Sequence, residues 1–371
     1  MIKSKYASLL PALFGAAALI SGCASPEFIH KPFDPDKVGR IAVLPFLDGR
    51  QNPDKDTNFK TIATEATTFL MPEIKYKRKY LAFDTTDIGD VSEYSAHVIE
   101  PTKGQYPPPD YVKQLGPNRA KWVLVPVCDD LGRYNVVFYA GGSAKVSLYL
   151  FNKETGELWW KASIKQSQSM GGLLGGLADA MDRSGMETAC LAQSELKAME
   201  TLPEVKNSVT KGGGDWIAQH YSIQSASDMR RIAVTSVVDG RRRESKKVDY
   251  EPQNIQFEIL KKLHDKDYDG YAVQGFGGQQ SVSQAQVALA DATFGKSLAA
   301  VGAKYVLIPV ADDVSNPPEF IGKHYELSFY LFNTETGELI WEGSSFGRSL
   351  GKALLALDKG DGLPRRKDLM K

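Results

Sequence analysis

The sequence has few of the residues from which metal sites and nucleophile–base pairs are built. Its 371 residues include five His and three Cys, and no His pair has the His-Glu-x-x-His or a similar spacing. The five are His30, His97, His220, His264 and His324. Neither charge is in excess, because 45 Lys and Arg balance 45 Asp and Glu, which excludes a strongly basic nucleic-acid-binding protein. We therefore expect no metal, no cofactor and no nucleic-acid partner.

The N-terminus has the pattern of a lipoprotein signal peptide. Lys3 and Lys5 precede the uncharged run 7–20, which is shorter than the roughly 20 residues of a membrane-spanning helix. The run ends in Ile-Ser-Gly before Cys23 and looks like a lipobox, in which the Cys thiol takes a diacylglyceryl group. An ordinary secretory cleavage site with an incidental Cys is the alternative interpretation. We expect residues 1–22 to be removed and Cys23 to be lipidated.

The lipid is the only membrane attachment that the sequence predicts, since no later stretch reaches 18 apolar residues. Resemblance to Gram-negative lipoproteins implies a destination as well. Ala24, which is not Asp, then favours the outer membrane, with the protein facing the periplasm.

The rest of the chain is a tandem duplication. Three blocks recur in the same order, at offsets of 191, 183 and 181 residues. They are Arg-Ile-Ala-Val at 40–43 and 231–234, a buried-strand pattern ending in Asp-Asp at 122–130 and 305–313, and Tyr-Leu-Phe-Asn-x-Glu-Thr-Gly-Glu-Leu-x-Trp at 149–160 and 330–341. The constant order with drifting offsets predicts two copies of one domain with loops of different length.

Strands and helices alternate within each copy. Apolar runs at 41–46 and 122–127 predict buried strands, the spacing of apolar residues over 59–70 predicts a helix, and alternation over 145–164 predicts a hairpin. Closing helices are expected near 174–181 and 350–357. The predicted fold is α/β, with two tandem duplicated domains, each a mixed β-sheet with a C-terminal-side β-hairpin and helices packed on it. The predicted segments are a signal peptide at 1–22, a tether at 23–37, the first domain at 38–200, a linker at 201–228, where Lys-Gly-Gly-Gly breaks regular structure, the second domain at 229–358, and a tail at 359–371.

The opening Arg-Ile-Ala-Val-Leu-Pro-Phe of residues 40–46 and the Glu-Thr-Gly-Glu-Leu-x-Trp of the hairpin resemble the α/β domain of bacterial envelope lipoproteins related to CsgG, LpoB and the TolB N-terminal domain. The resemblance covers about 38–185 and 229–358. It implies an adaptor, channel part or activator and not an enzyme. This sequence lacks an evident pair of long membrane-spanning hairpins, which argues against a pore.

Two acidic pairs are the strongest candidates for chemistry. Asp129 and Asp130, like Asp312 and Asp313, follow a predicted buried strand. They could bind Ca²⁺ or act as acid and base. Neighbours on an extended segment point to opposite sides, however, and do not converge on one atom. Capping of a loop is the favoured interpretation.

Three further features each allow two interpretations. Cys128 and Cys190 could form a disulfide in an oxidising compartment, or Cys128 could be a small buried residue, since the second copy has Ala311 there. Trp159 could contact a partner or pack under a helix. Residues 171–176, Gly-Gly-Leu-Leu-Gly-Gly, lack the Lys-Ser/Thr of a phosphate loop and favour a flexible helix start, with an apolar contact surface as the alternative.

A run of cations ends the first predicted helix: Lys75, Lys77, Arg78 and Lys79. Cations stabilise a helix C-terminus by interaction with its dipole. A patch for a partner or for anionic lipid is the alternative interpretation.

Together these patterns predict a lipid-anchored periplasmic adaptor or structural lipoprotein of the outer membrane. It would bind an envelope protein or component without catalysing a reaction. A subunit of an outer-membrane secretion or assembly complex is the first alternative. A ligand-binding protein or a hydrolase that uses the Asp pairs is the second.

Overall fold

The fold is known from a computed structural model, which describes residues 25–29, 33–50, 58–85, 107–136, 139–171, 183–206, 210–213, 215–241, 251–276, 281–315 and 324–370. These residues form two domains, each built on one mixed β-sheet. None of the helices in these ranges is both long enough and apolar enough to cross a membrane.

The first domain contains a seven-stranded sheet with neighbour order β1-β7-β6-β5-β2-β4 and β3 beside β5. Strands β1, β7, β6 and β5 are antiparallel, whereas β5, β2 and β4 are parallel. The strands are β1 (Ser25–Ile29), β2 (Ile41–Val43), β3 (Leu47–Asp48), β4 (Ala82–Asp84), β5 (Trp122–Val136), β6 (Tyr139–Asn152) and β7 (Glu157–Gly171). The helices are α1 (Phe59–Pro72), α2 (Pro109–Val112) and α3 (Arg183–Met199), with a 3₁₀ turn at Pro35–Lys37 and a π-helical turn at Glu73–Lys77.

The second domain repeats this plan, with neighbour order β12-β10-β13-β14-β15-β9-β8 and β11 beside β13. Its strands are β8 (Thr210–Gly213), β9 (Trp216–His220), β10 (Arg231–Val234), β11 (Val238–Asp239), β12 (Asp269–Ala272), β13 (Tyr305–Ser315), β14 (His324–Asn333) and β15 (Glu338–Gly347). Its helices are α4 (Pro252–His264), α5 (Gln284–Ala288), α6 (Ala292–Ser297), α7 (Leu355–Asp358) and α8 (Arg366–Leu369), with 3₁₀ turns at Ile223–Ser225, Leu298–Val301 and Lys352–Leu354. The predicted class, two tandem α/β domains with mixed sheets, is confirmed.

Local sequence explains the shared elements. Helix α1 begins after Asn58, whose side chain accepts a hydrogen bond from the Thr61 amide, and its apolar stripe packs on the sheet. The hairpins β6–β7 and β14–β15 turn at Gly156 and Gly337, whose φ values are +77° and +80°. Only glycine adopts such values without strain, so the repeated Glu-Thr-Gly specifies the turn.

The predicted tether and linker were wrong in one respect, because each contains a strand. Strand β1 lies within 23–37 and pairs with β7, and β9 lies within 201–228 and pairs with β15. The Lys-Gly-Gly of 211–213 forms most of β8 rather than a break. An open hairpin edge exposes a row of unpaired N–H and C=O groups, so an adjacent extended segment pairs with it. The first copy therefore begins one strand earlier than the repeated blocks suggested, and the second copy begins two strands earlier.

The predicted tail is also part of the second domain. Leu363 and Leu369 are buried in its core, and the Tyr268 hydroxyl donates to the Pro364 carbonyl at 2.9 Å. The residues from 350 to 357 are helical in two short pieces, the 3₁₀ turn and α7. The helix expected at 174–181 lies outside the described residues, as do Cys23 and the signal peptide.

Candidate functional site

The two copies differ at the end of their first helix. In the first domain α1 continues into the π-helical turn, and the Tyr80 amide donates to the Ile74 carbonyl. In the second domain the Tyr268 amide donates to the Leu263 carbonyl, which is one residue nearer along the chain. The first copy therefore carries one additional residue in this turn. Such π-helical insertions occur often at functional sites.

The widened turn directs Lys75 into the second domain. Its ammonium group lies 3.0 Å from the Asp312 carboxylate and 2.8 Å from the Glu326 carboxylate, and it also approaches the Ser344 hydroxyl at 3.4 Å. The side chain of Lys75 is 2% exposed and those of both acids are 0% exposed. This ion cluster, Lys75–Asp312–Glu326, is a buried charged contact between the two domains.

The Asp312 carboxylate is held by hydrogen bonds within its own domain. Asp312 lies at a β-bulge of β13, between Ala311 and Asp313, and accepts hydrogen bonds from Ser328 and Gln284. A buried carboxylate with several donors is stabilised in its charged form. The sheet and α5 therefore position the Asp312 carboxylate, and Lys75 of the first domain supplies the opposite charge.

Two aromatic side chains and a second ion pair extend the contact. Tyr76 stacks on Phe346 with ring centroids 4.8 Å apart. The Arg40 guanidinium binds the Glu342 carboxylate and the Ala288 carbonyl. Arg40 also lies over the Tyr330 ring at 6.0 Å, in the geometry of a cation–π interaction.

Electrostatics in this contact favour charge pairing over proton transfer. Burial, together with the nearby Asp312 carboxylate, holds the pKa of Tyr330 well above its ordinary value. A cavity of about 20 Å³ between Arg40, Lys75, Tyr330 and Glu342 is large enough for about one water molecule. This arrangement is suited to orienting the domains, and it has no room for a substrate.

A larger groove is lined in part by Phe346, on which Tyr76 stacks. Its volume is about 270 Å³, and it is lined by Thr68, Phe69, Pro72 and Leu196 of the first domain and by His324 and Phe346 of the second, among others. His324 lies 3.9 Å from the Asp313 carboxylate. Within the described ranges, no group of three or more His, Cys, Asp or Glu is arranged to hold a metal ion.

The Asp pairs do not cap loops, so that expectation was wrong. Strands β5 and β13 extend beyond them, and each pair lies at a β-bulge inside its strand. Asp129 accepts a hydrogen bond from Ser147 at 2.6 Å, and Asp130 pairs with Lys165 at 3.1 Å. The two members of a pair thus have different partners. They are not brought together at one atom.

Trp159 packs inside its own domain. It lies edge-on to Trp122 with ring centroids 4.7 Å apart and approaches Phe33 at 6.0 Å. The reason is a β-bulge opposite Leu150, which breaks the alternation that places Trp159 on the outer face. The side chain is half-buried against the core, and a partner contact at Trp159 stays a prediction.

Cys128 and Cys190 are both buried in the first domain's core, and the structure shows no disulfide between them. Cys128 lies in apolar surroundings, as expected for a small buried residue. Burial also raises the pKa of its thiol strongly, which keeps it protonated and unreactive.

The sequence interpretation missed Lys75. The interpretation as a cation at a helix end fits Lys77, which is 69% exposed and pairs with Glu73 four residues before it. Lys75 instead contacts the other domain. The sequence did contain a signal for this contact at one of its acids, because the first copy has Lys145 at the position where the second copy has Glu326.

Comparison with known proteins adds little to this geometry. No family model matches the chain, and no curated protein matches it. Solved structures with partial similarity include the PelC dodecamer from Paraburkholderia phytofirmans, 14% identical, covering 47% of this chain and 98% of that one with a TM-score of 0.24. The lipoprotein GNA1162 from Neisseria meningitidis is 18% identical over 38% of this chain and 94% of its own, with a TM-score of 0.23. The LpoB C-terminal domain from Salmonella enterica is 21% identical over 34% of this chain and 96% of its own, with a TM-score of 0.22.

These structures include bacterial lipoproteins, at low identity and over part of the chain. Identities and TM-scores of this size do not establish a function or a partner for this protein.

Proposed function

We propose that this protein is a lipid-anchored periplasmic adaptor of the outer membrane, without catalytic activity, whose two domains act as one unit. The observation that carries the proposal is the buried ion cluster Lys75–Asp312–Glu326 between the domains. In it, Asp312, one member of an acidic pair that could have served chemistry, is bound by a lysine of the same chain.

A buried ion cluster specifies one arrangement of the parts it joins. An unpaired charge in a buried contact costs several kcal/mol, so a rotation of one domain that separates Lys75 from the acids is strongly disfavoured. The Arg40–Glu342 pair adds a second charged contact. Two contacts restrain the relative rotation of the domains more than one does, and this supports a unit that presents a fixed surface to its partner.

The position of β1 supports action close to the membrane. Strand β1 begins at Ser25, so only Ala24 separates the expected lipidated Cys23 from the sheet. A protein anchored in this way does not extend on a long tether. Its first domain lies within a few residues of the bilayer surface.

The proposal is tested by replacing Cys23 with Ser and measuring whether the variant restores the phenotype of a strain that lacks the gene. We expect a folded protein that leaves the membrane fraction and does not complement. The matched control is Cys128→Ser, which alters a buried thiol and leaves the anchor intact. Full complementation by the unlipidated form would contradict the anchored adaptor.

The enzyme class is tested separately. Turnover of any substrate that is abolished by Asp129→Asn, in a variant with an unchanged melting curve, would replace the adaptor proposal with a hydrolytic one. Cross-linking of intact envelopes followed by purification of this protein identifies the partner. Recovery of one stoichiometric envelope protein is the result that the adaptor proposal predicts.

A further inference from the structure

The larger groove between the two domains has the position of a ligand site and room for a small ligand. Its volume of about 270 Å³ is just below the range of about 300–1,000 Å³ that is usual for small-ligand sites, and such sites occur preferentially at domain interfaces. We call it the Phe346 groove and define it by six lining side chains: Phe69, Pro72, Lys77 and Leu196 of the first domain, and Phe346 and Arg348 of the second.

The internal contact between the domains fixes the shape of this groove. The Tyr76 ring stacks on Phe346 with centroids 4.8 Å apart, and the Tyr76 hydroxyl forms a hydrogen bond of 2.8 Å with the Ser344 hydroxyl. Tyr76 directly follows Lys75, whose ammonium group belongs to the buried ion cluster. A ligand that enters the groove therefore finds both walls in position, and its affinity is not reduced by the cost of ordering them.

One part of the Phe346 groove is apolar. Phe69 of α1 and Leu196 of α3 line it from the first domain, and Phe346 of β15 lines it from the second. All three side chains are half-buried, so each keeps some apolar surface in contact with water. An apolar group that covers this surface is held by the hydrophobic effect.

The other part of the groove is positively charged. Glu73, which also lines it, is compensated within its own domain, because Lys77 lies 2.7 Å and Arg78 lies 3.8 Å from its carboxylate oxygens. Arg348 is exposed, and no residue of the described ranges forms a hydrogen bond or an ion pair with its guanidinium group. Arg348 is therefore a cation that an anionic ligand in the groove can bind.

The duplication does not repeat this chemistry. The hairpins of the two copies align at an offset of 181 residues, at which Phe346 corresponds to Lys165 and Arg348 to Ser167. The first domain thus has neither the aromatic ring nor the guanidinium group at these positions. We expect one ligand for each chain.

We propose that the Phe346 groove binds the C-terminal residue of a partner protein, with its apolar side chain against Phe69, Leu196 and Phe346 and its α-carboxylate bound by Arg348. Within a polypeptide, an apolar side chain and a carboxylate belong to one residue only at the C-terminus. Arginine and a carboxylate form two parallel hydrogen bonds, which also fix the orientation of the ligand. The inference deepens the anchored adaptor by naming the chemistry of its partner, and it rests on that proposal only in taking the ligand to be a protein.

The volume of the groove favours a single residue over a lipid. At the roughly 30 Å³ that one molecule of liquid water takes up, the 270 Å³ of the groove holds about nine non-hydrogen atoms. A C-terminal leucine has about nine such atoms, whereas a fatty acid of about 16 carbons has twice as many and exceeds this space. The fatty acid also offers a carboxylate to Arg348, and it is therefore the competing occupant in the test.

The test is fluorescence polarisation of the peptide fluorescein-Gly-Ser-Gly-Ser-Leu with residues 24–371, which include every described residue. The peptide with a free C-terminal carboxylate should bind one per chain, at least about tenfold more tightly than the same peptide with a C-terminal amide, because its hydrogen bonds to Arg348 are charge-assisted. Arg348→Gln should remove this difference and leave the affinity for the amide unchanged. Leu196→Gln should weaken both peptides, because it removes apolar contact surface.

Arg230→Gln is the matched control, because Arg230 is also an exposed arginine but precedes β10, away from the groove lining. It should leave both affinities unchanged, and all variants should melt like the wild type. No binding at about 1 mM peptide, equal affinity for acid and amide, or a difference that survives Arg348→Gln would each overturn the proposal. Displacement of the peptide by palmitate at a lower concentration than by N-acetyl-leucine would assign the groove to lipid and overturn it as well. The anchored adaptor is tested separately, by the membrane release and complementation of Cys23→Ser.

Discussion

Replacement of Lys75 by Met tests the contact between the domains most severely. Met keeps the length and apolar stem of the side chain and removes the ammonium group. Asp312 and Glu326, both 0% exposed, then lose the charge that lies 3.0 and 2.8 Å from them. Two buried carboxylates without a cation cannot both remain ionised at low cost.

The expected loss follows from that geometry. Removal of one member of a buried ion pair lowers the free energy of unfolding by about 3–5 kcal/mol, because the remaining charge stays buried and unpaired. At about 2–4 °C per kcal/mol for domains of this size, the melting temperature should fall by roughly 6–20 °C. The remaining hydrogen bonds from Ser328 and Gln284 to Asp312 favour the lower part of this range.

The assay is denaturant unfolding of the wild type, Lys75→Met and a matched control, Lys77→Met. Lys77 lies on the same turn and is 69% exposed, and the buried Glu73 carboxylate with which it pairs also lies 3.8 Å from Arg78. Its loss should therefore cost clearly less than the loss of Lys75. The Lys75 loss should shrink as the pH falls, because protonation of the acids removes the uncompensated charge. Equal losses for the two variants would refute the assignment of Lys75 to a buried contact.

Three further predictions concern backbone, charge and thiols. Gly337→Ala should lower the free energy of unfolding by about 3 kcal/mol or more, because at a φ of +80° the added Cβ would overlap a carbonyl oxygen of α6. Gly302 has a φ of +78° and no atom within 4 Å of an added Cβ, so Gly302→Ala should cost about 1–2 kcal/mol for the left-handed backbone alone. Similar losses for the two variants in thermal unfolding would contradict this. Glu195 is fully buried, no described residue bonds its carboxylate, and burial raises its pKa well above the ordinary value. The wild type therefore loses stability as the pH rises above about 4.3. Glu195→Gln should stabilise the chain at pH 7 by at least about 1 kcal/mol and should bring no gain at pH 4. The same difference in free energy of unfolding between variant and wild type at both pH values would argue against a charge effect. Finally, a thiol reagent should find Cys128 and Cys190 unreactive in the native protein and should titrate both after unfolding without reductant; no titratable thiol would indicate a disulfide.

The fold was predictable because the duplication constrains it. Each strand pattern occurs twice, and the repeated Glu-Thr-Gly specifies the turn at Gly156 and at Gly337. The strand that pairs with the last hairpin strand of each copy was not predictable, because residues 25–29 and 216–220 share no sequence block. An edge strand forms where an extended segment pairs with the open backbone groups at the edge of a sheet. The composition of a segment does not show that it will be the one to pair there.

The site was less predictable for a local reason. The contact made by Lys75 depends on one additional residue in a helical turn, which becomes visible only when Tyr80 and Tyr268 are aligned through their hydrogen bonds. The place of Trp159 depends on a β-bulge, and a bulge reverses the face to which the following side chains point. The alternation of apolar and polar residues along a strand does not show where such a reversal occurs.

The measurement that tests the central claim most directly is the distance between spin labels, one in each domain, at Glu200→Cys and Lys359→Cys, both exposed positions. If the buried contacts of Lys75 and Arg40 join the domains into one unit, the wild-type background gives a single narrow distance distribution. In the Lys75→Met, Arg40→Met background the distribution broadens. A broad distribution in the wild-type background, or one that the two substitutions leave unchanged, would contradict the account.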